Sequence, residues 1–62
     1  MLNITWYMNS GDMYKSTMEG KSWEDVADFV CDNPDFIIVH NDGHDVVLVT
    51  KNISEFVVEV AK

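Results

Sequence analysis

Sixty-two residues leave room for one domain, and a chain this short buries only about 60% of the surface its unfolded form exposes. Eleven acids against four lysines, with no arginine, give a net charge of −7, which repels phosphate backbones and anionic lipid and so argues against direct nucleic-acid or membrane binding. Cys31 is the one cysteine, which rules out an intrachain disulfide, and no run approaches the roughly 20 apolar residues of a membrane span.

Residues 2–8 alternate apolar and polar, with Leu2, Ile4, Trp6 and Met8 on one side, as a half-buried strand does. Asn9-Ser10-Gly11-Asp12 carries turn chemistry, and residues 13–18 read as the returning strand. With Ser10-Gly11 as a two-residue loop, the expected partners are Met8 with Met13, Tyr7 with Tyr14 and Trp6 with Lys15.

Ser22 suits an N-cap, with Asp25 at the third helical position as a shortened capping-box partner. Trp23, Val26, Ala27 and Val30 form an apolar stripe, and Phe29 lies off it. Glu24, Asp25, Asp28 and Asp32 fall on the opposite side, and Pro34 stops the helix. Counting Asp35, five acids stand within twelve residues without a base.

Phe36 to His40 and Asp45 to Thr50 are β-branched runs joined through Asp42-Gly43, the pair favoured in type I′ hairpin loops. That loop predicts Val39 opposite Val46, Ile38 opposite Val47, Ile37 opposite Leu48 and Phe36 opposite Val49. Both faces of the ribbon are then apolar, and one helix covers only one of them. Residues 52–60 read two ways: Asn52 and Glu55 fit a capping box, but Phe56, Val58 and Val60 alternating with Glu55, Val57 and Glu59 favour a strand. The expected fold class is α+β in the order β-β-α-β-β-β, an antiparallel sheet with one helix packed across it, over a single domain 1–62.

The residues that carry chemistry do not converge. His40 and His44, with Asp42 and Asp45 nearby, have a metal-binding composition, but His40 should pair with Asp45 and His44 with Asn41 on opposite faces of the ribbon. Cys31 sits at the negative end of the helix beside Asp28 and Asp32, which disfavours a thiolate and suits a small, partly buried apolar role. Ser10, Ser16, Ser22 and Ser54 occupy turn, strand or cap positions, and Gly11, Gly20 and Gly43 are isolated, so neither a nucleophile elbow nor a phosphate loop is expected. The carboxylates fall on predicted solvent faces, without the burial that raises a general acid's pKa. The expectation is a non-catalytic protein with no metal or cofactor.

Two surfaces stand out as candidate interaction sites. One is the acidic face of Glu24, Asp25, Asp28, Asp32 and Asp35, whose helical spacing is not far from that of phosphates along a nucleic-acid strand. The other is a surplus of apolar and aromatic side chains, namely Tyr7, Tyr14, Phe29, Phe36, Ile38, Val47 and Val49, of the types enriched at protein interfaces. They are expected to meet a partner protein or a second copy in a homodimer.

The strand pair around Gly11, the Lys21-Ser22-Trp23-Glu24-Asp25 helix start, the Phe36-Ile37-Ile38-Val39 and Val46-Val47-Leu48-Val49 hairpin and the closing Lys51-Asn52-Ile53-Ser54-Glu55-Phe56 segment resemble, along the whole chain, the tiny proteins encoded by phages and prophages of Gram-positive bacteria. The resemblance implies a class of roles without assigning residues: an inhibitor that binds a host or defence protein. The alternatives are an acidic mimic of nucleic acid and a structural or assembly accessory. A free thiol and the lack of a basic-then-apolar leader pattern fit the bacterial cytoplasm.

Overall fold

In the computed structural model, which describes residues 1–61, the chain runs β1 (Leu2–Met8), β2 (Met13–Met18), α1 (Trp23–Asp32), β3 (Phe36–Asn41), β4 (His44–Val49), a single 3-10 turn (Thr50–Asn52) and β5 (Ile53–Val60). The α+β class and the β-β-α-β-β-β order are those expected, and the ambiguous last segment is a strand. The strands divide into two antiparallel sheets, β2-β1-β5 and β3-β4.

The β1–β2 register differs from the expected one by a single residue: Tyr7 lies opposite Met13, Trp6 opposite Tyr14, Ile4 opposite Ser16 and Leu2 opposite Met18. The cause is the loop. Gly11, at φ +96°, is the third residue of a three-residue loop and not the second of a two-residue one. Its N–H donates to the Met8 carbonyl (3.0 Å) and the Met8 N–H donates to the Asp12 carbonyl (2.9 Å). One extra loop residue slides β2 by one position, which swaps its faces. Tyr14, Ser16 and Met18 thereby join Leu2, Ile4 and Trp6 on the core side, while Tyr7 and Met13 pair on the outer side.

The core comprises Leu2, Ile4 and Trp6 of β1, Val26 of α1, Ile37 and Val39 of β3 and Leu48 of β4, all buried. Trp6 packs against Phe56 of β5 with ring centroids 5.4 Å apart at 46°, an arrangement worth about 0.5–1.5 kcal/mol beyond the area it buries. Its indole N–H donates to the hydroxyl of Ser16 at 2.8 Å, so, among the described residues, the one buried polar side chain and the largest buried aromatic satisfy each other. Beyond Tyr7 the β1–β5 register shifts, and the Ser54 hydroxyl donates to the Tyr7 carbonyl (3.0 Å) at that irregularity.

The helix begins as expected at Ser22. The carboxylate of Asp25 accepts from the backbone N–H of Lys21 (2.6 Å) and of Ser22 (3.2 Å), two donors that the helix itself cannot satisfy. A Cβ on Gly20 would stand 3.0 Å from a Leu2 methyl and 3.1 Å from the Asp25 Cβ, so glycine lets the chain pass closely over the first turn. The buried stripe is rolled relative to the expected one. Val26, Phe29 and Val30, spaced i, i+3, i+4, face the core, while Trp23 is 61% exposed. At the other end the Asn33 side chain donates to the Phe29 carbonyl (2.7 Å), and the Thr50 hydroxyl ties the Asn33 carbonyl to the 3-10 turn (2.7 Å).

Candidate interaction surface

The β3–β4 hairpin has the register read from its sequence, from Phe36 opposite Val49 to Asn41 opposite His44. Asp42 at φ 51° and Gly43 at φ 80° give the two left-handed positions that a type I′ loop requires. Because side chains alternate along a strand, this register sorts the hairpin into two faces. Ile37, Val39 and Leu48 are buried against β1 and α1 with Val46 half-buried beside them. Phe36 (51% exposed), Ile38 (50%), Val47 (57%) and Val49 (40%) form the outer face and are left to solvent.

At the loop end this outer face is closed by His40, whose Nδ1 meets a carboxylate oxygen of Asp45 across the strands. It is the one close contact between a basic and an acidic side chain among the described residues, and both members are exposed. His44 pairs with Asn41 on the opposite face. Among the described residues no group of three or more His, Cys, Asp or Glu side chains is placed to hold a metal ion.

The other candidate residues disperse. Tyr7 is exposed on the outer face of the three-stranded sheet, while Tyr14 and Phe29 pack half-buried against the core, so the apolar set does not form one surface. Of the five acids, Glu24, Asp28, Asp32 and Asp35 are exposed, and Asp25 is drawn into the cap. The backbone N–H groups of Lys21 and then Ser22 hold the Asp25 carboxyl below its ordinary value, assisted by the charge of Lys21 and opposed by slight desolvation. Cys31 is exposed and free, which corrects the partly buried position expected for it, because the roll that buries Phe29 turns the helix end outward at residue 31. No helix among the described residues is long and apolar enough to cross a membrane.

Sequence reasoning left two features out. The Trp6–Ser16 hydrogen bond was hidden by the one-residue slip of β2. The open edge of β4 was within reach, because the type I′ loop alone dictates which of its backbone groups point away from β3. Beside that edge lies an open groove bounded by Met8, Asn9, Ser10, Asp12 and Tyr14 on one side and Val47, Leu48 and Val49 on the other.

Compared with known proteins, the chain matches no family model, no curated protein and no solved structure.

Proposed function

We propose that the chain is a non-catalytic protein-binding module whose contact surface is the outer face of the β3–β4 hairpin, and that it acts as a phage-encoded inhibitor of a host or defence protein. One observation carries the reading: Phe36, Ile38, Val47 and Val49, four large apolar side chains on two adjacent strands, are each between 40% and 57% exposed on one contiguous face. Contiguous apolar surface of this kind marks interaction sites, and burial of each such side chain contributes up to about 1.5–3 kcal/mol. The face is framed at one end by the exposed, polar His40–Asp45 pair, which suits the polar rim of an interface.

A second reading, the acidic nucleic-acid mimic, draws on Glu24, Asp28, Asp32 and Asp35, which are exposed and make no ion pair with the described residues. The two are separated by comparing three baits in lysate of a Gram-positive host: the natural chain, Ile38→Lys with Val47→Lys, and Glu24→Lys with Asp28→Lys and Asp32→Lys. The hairpin reading requires a host protein that the first and third baits retain, in high salt as well as low, and the second loses. A protein lost from the third bait and released by salt supports the mimic.

A further inference from the structure

In a two-residue hairpin loop the flanking residues form a hydrogen-bonded pair, and such pairs then alternate along the ladder. Asn41–His44, Val39–Val46 and Ile37–Leu48 are therefore the bonded pairs of this hairpin, and the series continues into the Thr50 N–H, which donates to the Asp35 carbonyl at 3.1 Å. The N–H and C=O groups of Asp45, Val47 and Val49 consequently point away from β3. β4 ends its two-stranded sheet, and these groups meet no backbone partner among the described residues. β4 has no proline and no lysine, its register is free of bulges, and the groove that separates Val47 and Val49 from the β1–β2 loop lies alongside it.

We propose that β4 is a self-pairing edge, through which two copies of the chain join antiparallel into one four-stranded sheet of order β3-β4-β4-β3. The proposal goes beyond the protein-binding reading and does not rest on it. A second copy is the fitting occupant because the edge is complementary to itself. The register that pairs all three outward-facing residues sets Val47 against Val47 of the second copy and Asp45 against Val49, so no acid opposes an acid. Of the other end strands, β5 centred on Val57 would set Glu55 against Glu59, β2 centred on Lys15 would set lysine against lysine, and β3 runs alongside β2. For a chain of net charge −7 the choice matters, because two copies must meet where like charges do not face each other. On β4 the one acid at the edge, Asp45, has the His40 ring across the strand and falls opposite Val49 of the second copy. The two-fold axis of such a pairing runs perpendicular to the sheet, so Phe36, Ile38, Val47 and Val49 of both copies come to lie on the same side and form one continuous apolar face.

The test is sedimentation equilibrium of the full chain beside its Val47→Pro variant, with amide hydrogen exchange at residue 47. Val47 does not donate within the hairpin, so proline there removes only the intermolecular donor, as edge strands tolerate. The natural chain should dimerise at micromolar concentration, and Val47→Pro should bind its own copy about thirtyfold or more weakly, since both bonds of the central pair are lost. The variant should keep the circular-dichroism spectrum of the natural chain. Independently of that variant's folding, the Val47 amide should become protected as the concentration of the natural chain rises. A chain that stays monomeric to millimolar concentration, a dimer that persists in Val47→Pro, or a dimer in which the Val47 amide exchanges freely would overturn the proposal.

Discussion

Ser16→Ala should destabilise the domain far more than an exposed serine substitution does. The Ser16 hydroxyl is the one partner of the Trp6 indole N–H among the described residues, at 2.8 Å, and Trp6 is 1% exposed, so the donor has little access to bulk water. Leaving a buried donor unsatisfied costs about 1–3 kcal/mol. For a domain of this size each 1 kcal/mol lowers Tm by about 4–8 °C, so thermal unfolding followed by far-ultraviolet circular dichroism should show a fall of about 5–20 °C. Ser54→Ala, which removes an exposed hydrogen bond to the Tyr7 carbonyl, is the control and should shift Tm by no more than a few degrees. A double-mutant cycle with Trp6→Phe isolates the pair, because once the indole donor is gone Ser16→Ala should cost little. If Ser16→Ala matched Ser54→Ala in the natural background, the register that brings Ser16 inward would be refuted.

Three further outcomes follow from the helix and the hairpin. Phe29→Ala should cost about 1–3 kcal/mol in a denaturant titration, while Trp23→Ala stays within about 0.5 kcal/mol, because the rolled stripe buries the first and exposes the second. Asp25 has a folded-state pKa below its unfolded value of 3.8, so the stability it contributes is present above that value and lost as pH falls through the lower folded one. The stability gap between the natural chain and Asp25→Asn, measured from pH 7 downward, should therefore be open at neutral pH and close in the acid range. Gly43→Val should lower stability by about 1–2 kcal/mol, since φ 80° is a region that β-branched residues avoid.

What the sequence revealed, and where it failed, divides along loop chemistry. Asp42-Gly43 admits essentially one hairpin geometry, so every pair of β3 and β4, and with it the buried and exposed faces, could be read before the fold was known. Ser22 and Asp25 likewise located the helix start through a local hydrogen-bond demand. Ser10-Gly11 is less restrictive, because a glycine with positive φ serves both a two-residue loop and a three-residue loop with a bulge, and that difference of one residue moved Tyr14 and Ser16 to the other face. The roll of α1 was equally open: Trp23 with Ala27 and Phe29 flank Val26 and Val30 on either side, and only the shape of the core beneath them chooses Phe29. The division into two sheets depends on tertiary packing, for which the strand patterns carry no local signal. The outer hairpin face was therefore the most legible part of the candidate site, and the aromatic residues assigned to it from other elements, Tyr14 and Phe29, turned out to belong to the core.

Site-specific photo-crosslinking in a Gram-positive host shows whether this outer face meets a partner protein. A benzophenone-bearing phenylalanine analogue in place of Phe36 keeps an aromatic side chain within the proposed contact and away from the β4 edge, and the same analogue at Asp28 reports on the acidic helix face. A discrete host-protein adduct should form from position 36 and be abolished by Ile38→Lys, and none should form from position 28. An adduct formed from position 28 alone would contradict the hairpin reading.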